Sequence, residues 1–305
     1  MPTLFSTREI AALFNVTETT IKRWADEGTI PCVKTVGGHR KYLMSDLVRF
    51  SEEFGYPMTG SLAPPVTRKQ FETLEFSVQT NNYRKISELF LHEALQDDKR
   101  GLSELLSYLC KHHIPFAIIG DEVIRPAMVR IGEMWADGKL EVNKEHLASQ
   151  AVMEALIRTG AEIYRKPSNG LSAACACAEG DYHEIGLRIL ASTLESEGWS
   201  VHYIGANTPF DTLSSFIKVM EPDLVCLSST LHKPSRDFTE RVRGIGKRTR
   251  SYKGTFVVGG FYTGDYTTQD LHCDYISTSV HDAVAFLRDK FQLKPGPKKE
   301  KVSAA

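Results

Sequence analysis

Short apolar runs alternate with amphipathic segments in the second half of the chain. The apolar runs, each short enough for a buried strand, cover 171–178, 200–204, 223–228, 254–258 and 274–277. Apolar residues recur at helical spacing between and after these runs, near 184–197, 210–220, 236–247 and 280–291. Because strands that alternate with helices build a parallel sheet covered on both faces, the pattern predicts a doubly wound α/β domain, which we place at 167–293.

A helical pattern without strands fills the preceding region, 69–166. The predicted helices are 70–97 with a break near Asn81 and Asn82, 101–113, 116–136 and 144–165. Short polar, Gly-containing or Pro-containing stretches separate them. Four helices joined by short loops predict an up-down four-helix bundle.

The first 54 residues carry helix and turn signals on a smaller scale. Ser6 and Glu9 form a capping box ahead of a first short helix. Thr17 caps a second helix, predicted at 18–27, whose apolar positions face inward. Two short helices around a tight turn predict a helix-turn-helix.

A β-hairpin and a third helix complete this N-terminal module, which we place at 1–54. Two short β runs, Val33–Val36 and Arg40–Leu43, flank a Gly-Gly turn. Ser45 and Asp46 are then predicted to cap a helix that runs to Phe54.

Polar and basic side chains mark two surfaces of the module. The outward face of the second helix carries Thr19, Thr20, Lys22 and Arg23, and the tip of the hairpin carries His39, Arg40, Lys41 and Tyr42. Such side chains can reach base edges in the major groove and grip phosphates. With a Trp in the second helix and G-G-H-R-K-Y in the hairpin, the module resembles the winged helix-turn-helix of MerR-family regulators. The resemblance implies a double-stranded DNA operator as partner; a protein-binding module with a solvated charged face is the alternative.

Charge limits what one such module can do. The chain has a formal net charge of −1, and within residues 1–54 seven Lys and Arg are offset by seven Asp and Glu. Non-specific affinity of one module for DNA is then on the order of 10⁻⁴ M or weaker. Useful binding needs two or more modules held together, so we expect a homo-oligomer, a dimer or a tetramer.

The remaining composition indicates an ordinary globular protein. Hydrophobic residues make up 42% and charged residues 25%, and no apolar run approaches a bilayer span. Arg8 and Glu9 interrupt any signal-peptide pattern, so we expect a cytoplasmic protein without membrane partners. Residues 55–68 are predicted to be a Pro-containing linker and 294–305 a disordered tail.

Six cysteines occur without a C-x-x-C motif. Cys175, Cys177 and Cys226 fall within predicted strands, which favours buried free thiols in a reducing compartment. A metal site at Cys175 and Cys177 is a weaker alternative, because no second pair of ligands lies near them in the sequence.

Candidate chemistry is concentrated in the loop after the first predicted strand. Asp181 and His183 lie two residues apart, and Gly186 opens the following helix. In a parallel sheet this loop belongs to the carboxyl edge, where ligands bind. An imidazole there can bind a metal, while the carboxylate holds its other ring nitrogen and fixes the tautomer.

Two other loops on the same predicted edge complete a pattern. Ser229 and Leu231 follow the third strand, and Gly259 and Gly260 follow the fourth. The order D-x-H-x-x-G, S-x-L, G-G resembles the cobalamin-binding domain of methionine synthase, mutases and cobalamin-dependent regulators. The resemblance implies a flavodoxin-like Rossmann fold, cobalt ligation by His183, and a slot for the nucleotide tail lined by the other two loops. A surface histidine in an ordinary βα loop is the alternative.

The bundle adds a second set of candidates. Trp135 ends one predicted helix and is followed, ten residues on, by Glu145 and His146, with Val142 between them. An ordinary core Trp and an acidic first helical turn would account for these residues in an isolated bundle. However, the N-terminal module, the bundle and the D-x-H-x-x-G domain follow one another along this chain as they do in the CarH-type light-sensing repressors. Together with these four residues, that order resembles the CarH-type family. There the bundle caps the cofactor and these residues enclose the adenosyl group of adenosylcobalamin.

One position departs from that family. The residue after the tryptophan is Ala136, where studied members carry a histidine that binds cobalt after light removes the alkyl group. Our sequence-based hypothesis is a repressor, not an enzyme, that binds an alkylcobalamin and senses light by cobalt–carbon cleavage, which changes its oligomeric state. Adenosylcobalamin is the expected cofactor and methylcobalamin the other candidate. A corrinoid methyl carrier, and a regulator that senses cobalamin or haem without light, remain alternatives.

Overall fold

The computed structural model describes residues 4–35, 37–56, 68–162, 165–230, 237–260, 263 and 266–293. The chain divides into two compact units, Met1–Phe71 and Glu72–Ala305. Most of the predicted linker, 57–67, and the whole predicted tail, 294–305, lie outside the described residues. No helix in the described ranges is both long and apolar enough to cross a membrane.

The first unit contains the predicted helix-turn-helix and hairpin. Its elements are β1 Leu4–Ser6, α1 Thr7–Leu13, α2 Glu18–Asp26, β2 Val33–Lys34, β3 Arg40–Leu43 and α3 Met44–Phe54. The hairpin strands β2 and β3 pair antiparallel, and β1 adds a third strand in the order β1-β3-β2. Strand β1, which pairs Phe5 with Tyr42, was not predicted from the sequence.

Local signals explain the helix boundaries in this unit. The Ser6 hydroxyl accepts from the Glu9 N–H, and the Glu9 carboxylate accepts from the Ser6 N–H at 2.6 Å, so the capping box is confirmed. Thr17 caps α2, and Asn15 makes the turn with a left-handed φ of 51°. The predicted cap of α3 at Ser45 and Asp46 was wrong: both residues lie inside the helix, which begins at Met44 after Leu43 and has no side-chain cap.

The helical part of the second unit has more segments than predicted. They are α4 Arg68–Gln79, α5 Tyr83–Leu95, α6 Lys99–Lys111, α7 Phe116–Ile118, a π-helix Ile119–Ile124, α8 Arg125–Ala136 and α9 Val142–Glu162. The predicted break falls between α4 and α5, where Asn81 has a φ of 53°. The predicted third helix is continuous from Phe116 to Ala136 but contains the π-helical turn. Residues of α5, α6, the α7–α8 segment and α9, together with Leu74 of α4, share one apolar core.

The α/β part follows the predicted alternation closely. Its strands are β4 Ser172–Cys177, β5 Ser200–Gly205, β6 Leu224–Ser228, β7 Thr255–Gly259 and β8 Tyr275–Ser277. Its helices are α10 Ile185–Ser196, α11 Phe210–Met220, α12 Phe238–Ser251, α13 Thr268–Leu271 and α14 Val280–Lys290, of which the short α13 was not predicted. The strands are parallel in the order β5-β4-β6-β7-β8, which confirms the flavodoxin-like fold.

The two faces of this sheet are covered by different helix pairs. Helices α10 and α14 pack on one face and α11 and α12 on the other. Cys175, Cys177 and Cys226 are buried free thiols, and Cys175 and Cys226 are neighbours across β4 and β6. The buried-thiol prediction is therefore confirmed.

The bundle is joined to the sheet at the π-helical turn. The buried Asp121 carboxylate accepts the N–H of Val280 at 3.0 Å and of His281 at 2.7 Å, the first two N–H groups of α14. These donors have no partner within their own helix, and the helix dipole favours an anion there. Beside it, Gly120 lies so close to α10 that an added Cβ would approach Ile189 Cγ2 to 2.5 Å. The turn thus contacts both helices on one face of the sheet.

Replacing the Asp121 carboxylate tests this joint. We expect Asp121→Ala to lower the free energy of unfolding of the second unit by about 2–3 kcal/mol, because it leaves two helix N–H groups unpaired in a buried place. Urea denaturation followed by tryptophan fluorescence measures the change. Asp137→Ala is the matched control, since Asp137 makes an exposed ion pair with Lys139 and should cost less than about 1 kcal/mol. Equal losses in both variants would contradict a special role for Asp121.

Candidate ligand-binding edge and DNA-binding face

The loop between β4 and α10 presents one histidine to solvent. The His183 side chain is 77% exposed, whereas the side chain of Asp181 has no exposed surface. Asp181 Oδ1 lies 3.0 Å from His183 Nδ1 and accepts the His183 backbone N–H at 2.9 Å. When Nδ1 carries the proton, it donates to the carboxylate and leaves the Nε2 lone pair available to a metal. The predicted pairing of the two side chains is therefore present.

A residue that the sequence analysis did not single out completes the support of Asp181. The Thr230 N–H donates to Asp181 Oδ2 at 2.5 Å, and the Thr230 hydroxyl lies 3.0 Å from both carboxylate oxygens. Thr230 is the middle residue of the S-x-L motif. Its position between two motif residues was the only signal that could have pointed to it. Through Thr230, the end of β6 is tied to the histidine loop.

The surroundings shift the pKa values of Asp181 and His183 in opposite directions. Burial raises the pKa of Asp181, but the hydrogen bonds from His183 and Thr230 outweigh it and hold the pKa below its usual range. The hydrogen bond to Asp181 raises the pKa of His183 against the opposing effect of burial. The Glu145 carboxylate of α9 also raises the pKa of His183 through space.

The ends of β6 and β7 meet beside this loop. The Ser229 N–H donates to the Gly259 carbonyl oxygen at 2.7 Å. Gly260 has a φ of +131°, and a Cβ added to it would lie 1.8 Å from the Ser229 carbonyl oxygen. Only glycine satisfies both conditions at this position. Leu231 lies outside the described residues.

Gly186 differs from Gly260 in its surroundings. It lies in the first turn of α10, and a Cβ added there would meet no atom within 4 Å. A side chain at this position would project into open space. Packing within the protein therefore does not explain this glycine.

The corner between α8 and α9 carries the four candidate residues of the bundle. Trp135 is 51% and Val142 52% exposed, which excludes an ordinary core role for either. Glu145 accepts the Ser149 hydroxyl at 2.7 Å, and His146 Nε2 lies 3.6 Å from the Glu145 carboxylate. The His146 side chain is exposed. The structure thus groups these four residues at one corner of the bundle.

The first unit exposes most of the predicted DNA-contacting residues of α2. Thr19, Lys22 and Arg23 are exposed, while Ile21 and Trp24 on the opposite side are buried as predicted. Thr20 is half-buried, and its N–H donates to the Thr17 cap. The outward face of α2 is therefore available to a partner.

The predicted contacts at the hairpin need a correction. His39 is exposed and Lys41 half-buried, but Arg40 forms an ion pair with Asp26 at the end of α2. Tyr42 has no exposed surface and belongs to the apolar core of the unit. Side chains alternate along a strand, and Tyr42 lies on the side that faces the core. It supports the hairpin and does not reach a DNA surface.

Comparison with known protein families agrees with this architecture. Residues 4–54 match the model of a helix-turn-helix domain, and residues 87–158 and 171–285 each match a model described as a B12 binding domain. The chain therefore combines a helix-turn-helix with a two-part B12 binding region. All described motif residues of the ligand-binding edge fall within 171–285, and Trp135, Val142, Glu145 and His146 fall within 87–158.

Two similar proteins are named as HTH-type transcriptional repressors. The chain is 33% identical over 137 residues to the HTH-type transcriptional repressor CarA of Myxococcus xanthus, covering 40% of this chain and 47% of CarA. It is 31% identical over 121 residues to the HTH-type transcriptional repressor CarH of the same organism, covering 39% of this chain and 40% of CarH. These matches thus span less than half of each relative.

A solved structure shares the fold of the second unit. The Methanosarcina barkeri monomethylamine corrinoid protein superposes with a TM-score of 0.57 at 14% identity, covering 68% of this chain and 99% of that protein. At this identity the likeness concerns the fold alone. It supports the combination of a helical bundle with a parallel sheet.

The described part of the chain holds no group of three or more His, Cys, Asp or Glu side chains placed to bind a metal ion. This finding gives no support to the alternative prediction of a metal site at Cys175 and Cys177. His183 offers a single imidazole at the edge of the sheet.

The two loop glycines should respond oppositely to alanine. We expect Gly260→Ala to lower the free energy of unfolding of the second unit by about 3 kcal/mol or to displace the Ser229 loop, because its Cβ would overlap a carbonyl oxygen. Gly186→Ala should leave stability unchanged or raise it by up to about 1 kcal/mol, since alanine favours the helix and meets no atom. Urea denaturation of both variants is the measurement. A destabilised Gly186→Ala protein would contradict the open space above α10.

Proposed function

We propose that this chain is a transcriptional repressor that binds cobalamin at the carboxyl edge of its parallel sheet and double-stranded DNA through residues 4–54. The observation that carries the proposal is His183, an exposed imidazole whose Nδ1 is held by a buried carboxylate inside a matched B12 binding domain. The helix-turn-helix match and the two repressor relatives support the regulatory role.

The residues present fit a corrin on three counts. His183 has its Nε2 side free while Asp181 holds the other ring nitrogen, as a histidine ligand to a metal requires. Gly186 leaves the space above α10 open, and the Gly260 backbone approaches Ser229 as closely as glycine allows. Under this proposal His183 binds cobalt, and Ser229, Leu231, Gly259 and Gly260 line the slot for the nucleotide tail.

The upper side of the cofactor would be covered by the corner between α8 and α9. Trp135 and Val142 expose apolar surface there, and Glu145 and His146 add polar groups. Large apolar side chains beside polar ones suit an adenosyl group, so adenosylcobalamin is our first candidate and methylcobalamin the second. When bound, such an alkylcobalamin supplies a cobalt–carbon bond that visible light can break.

We propose that light changes the oligomeric state through this corner. A ligand between the corner and the His183 loop favours one spacing of the bundle and the sheet, and loss of its upper group removes that preference. A 100-fold preference for an assembled state corresponds to about 2.7 kcal/mol. Ala136 has no group that can coordinate cobalt, so any protein ligand above the corrin must come from another residue, and His146 is exposed at the same corner.

Assembly matters because one DNA-binding module is weak. The net charge of residues 1–54 is zero, from seven basic and seven acidic residues, and non-specific binding depends on excess positive charge. Two or more modules in one oligomer make the second DNA contact intramolecular. A cofactor that controls assembly therefore controls occupancy of the operator.

A corrinoid methyl carrier is the second candidate, favoured by the fold shared with the monomethylamine corrinoid protein. The helix-turn-helix at 4–54 argues against it, since a methyl carrier has no need of a recognition helix. Co-purification with a methyltransferase, together with absent binding to any DNA, would support the carrier.

Removing the imidazole tests the lower ligand. We expect His183→Ala to weaken cobalamin binding about tenfold or more, because the cobalt loses its protein ligand. Absorbance titration of the full chain with adenosylcobalamin in the dark measures the change. His112→Ala is the matched control, since His112 is also exposed in the second unit but lies at the end of α6. Unchanged affinity in His183→Ala would locate the cofactor elsewhere.

The light response is tested on the loaded wild-type protein. We expect adenosylcobalamin in the dark to change the elution volume in gel filtration, and green light to reverse the change together with the absorbance spectrum. Cyanocobalamin, which has no alkyl group, is the control and should give no light-dependent change in size. If neither size nor spectrum responds to light, photosensing is excluded and a light-independent cobalamin sensor remains.

The DNA contact is tested at α2. We expect Arg23→Ala to weaken binding about tenfold to DNA selected by the wild-type protein from a random library, since Arg23 is exposed on the outward face. Arg49→Ala is the control, because Arg49 is equally exposed but lies on α3. Electrophoretic mobility shifts at fixed salt provide the affinities. Similar losses in both variants would contradict recognition by α2.

A further inference from the structure

The loop that carries His183 is held from its other side by Asn207. Asn207 lies in the connection after β5, and its backbone N–H donates to the Asp181 carbonyl oxygen at 2.7 Å. Its side-chain oxygen accepts the Gly180 N–H at 2.7 Å, and its side-chain NH₂ donates to the Tyr182 hydroxyl at 3.0 Å. One residue therefore contacts three consecutive residues of the loop.

Few residue types can make this set of contacts. Asn207 has a φ of 46°, in the left-handed region that asparagine and glycine tolerate best. The contacts to Gly180 and Tyr182 also require a short side chain with an acceptor on one branch. Glycine satisfies the backbone condition alone, and alanine satisfies neither, so the two roles of Asn207 can be separated by substitution.

Asn207 and Thr230 act on Asp181 from opposite directions. Thr230, after β6, binds the side chain of Asp181, whereas Asn207, after β5, binds its backbone carbonyl. The sheet order β5-β4-β6 places these two loops on either side of the loop after β4. Asp181 is thereby fixed in both its backbone and its side chain, and His183 follows two residues later.

We propose that Asn207 is a positioning residue, which fixes loop residues 180–182 before ligand binding so that His183 presents its imidazole at the edge of the sheet. The inference rests on the proposed function, since the ligand that His183 meets is taken to be cobalamin. A loop that is already ordered loses less conformational freedom when it binds. Asn207 would therefore raise affinity without touching the ligand.

The side chain can be removed without releasing the whole loop. In Asn207→Gly the left-handed backbone is kept, and the N–H of residue 207 can still donate to Asp181. The Thr208 N–H also continues to donate to the Cys177 carbonyl oxygen, a bond of 3.1 Å. In Asn207→Asp the carboxylate can accept from both the Gly180 N–H and the Tyr182 hydroxyl, so this variant should rescue most of the loss.

A matched control exists in the bundle. Asn81 also has a left-handed backbone, with a φ of 53°, and its side-chain oxygen also contacts a tyrosine hydroxyl, that of Tyr83, at 3.3 Å. Asn81→Gly therefore repeats the same chemical change in a turn outside the sheet edge. It should alter neither the His183 loop nor cobalamin binding.

The first measurement uses the full chain without cofactor. Amide hydrogen exchange at Gly180 reports the bond to Asn207 directly. We expect exchange at Gly180 to become about tenfold faster in Asn207→Gly, to stay near the wild-type rate in Asn207→Asp, and to be unchanged in Asn81→Gly. Unchanged protection of Gly180 in Asn207→Gly would overturn the proposal, whether or not the protein binds cobalamin.

The second measurement uses cobalt(II) cobalamin as a paramagnetic probe with histidine labelled with ¹⁵N. Histidine on cobalt changes the nitrogen splitting of the electron paramagnetic resonance spectrum when the label is present. We expect Asn207→Gly to bind about tenfold more weakly and to show a smaller histidine-ligated fraction, with both restored in Asn207→Asp. Wild-type affinity and wild-type splitting in Asn207→Gly would overturn the positioning role.

Different results would refute cobalt ligation by His183 and the positioning role of Asn207. If the labelled wild-type protein shows no histidine signal, cobalt ligation by His183 is wrong, while the exchange data still decide whether Asn207 orders the loop. If wild type shows the signal and Asn207→Gly shows it equally, cobalamin binding stands and the role of Asn207 is refuted.

Discussion

The buried carboxylate of Asp181 is the group on which the ligand-binding edge depends. A carboxylate without exposed surface is stable only when hydrogen bonds replace its water. Here the backbone and ring of His183 and the backbone and hydroxyl of Thr230 supply them. One anion thereby ties the ends of β4 and β6 together and orients an imidazole that is itself largely exposed. The cost of desolvating the carboxylate is offset by contacts that also prepare the histidine for a ligand.

A second buried carboxylate performs the corresponding task between the bundle and the sheet. Asp121 binds the start of α14, while Gly120 next to it contacts Ile189 on α10. Helix α10 begins two residues after His183, so the bundle packs against the helix that continues the histidine loop. A ligand held between His183 and the α8–α9 corner acts on the same two bodies that this joint connects. It can shift their arrangement only by the difference in its affinity for the two arrangements.

The sequence predicted the sheet well and single polar contacts poorly, for physical reasons. Strands of a parallel sheet are covered on both faces and appear as continuous apolar runs, which is why all five strands were located. Thr230 and Asn207 belong to loops, where no periodicity distinguishes a supporting residue from a solvated one. Their roles follow from the strand order, which brings three loops together at one edge.

Other differences have equally local causes. β1 has three residues, too few for a pattern, and exists because β3 offers a partner. The π-helical turn inserts an extra residue into a helix whose apolar spacing remains continuous on average. Tyr42 follows two basic residues and was grouped with them, although alternation along β3 directs it into the core. Lys41 and Tyr42 are adjacent in sequence, but the alternation along β3 places their side chains on opposite sides of the strand.

The exposed apolar surface of the α8–α9 corner is best understood together with the histidine loop. Covering a side chain such as Trp135 or Val142 contributes about 1.5–3 kcal/mol, yet both are half exposed. A ligand that covers the exposed half of each side chain would gain about half of this free energy, so its affinity and the stability of the closed arrangement would rise together. Under the proposed function, His183 would hold one side of such a ligand by a directional bond, and the apolar surface of the corner would hold the other side. The bond would set the position of the ligand, and the apolar contact would make the arrangement of the bundle depend on the group at the upper side of the ligand.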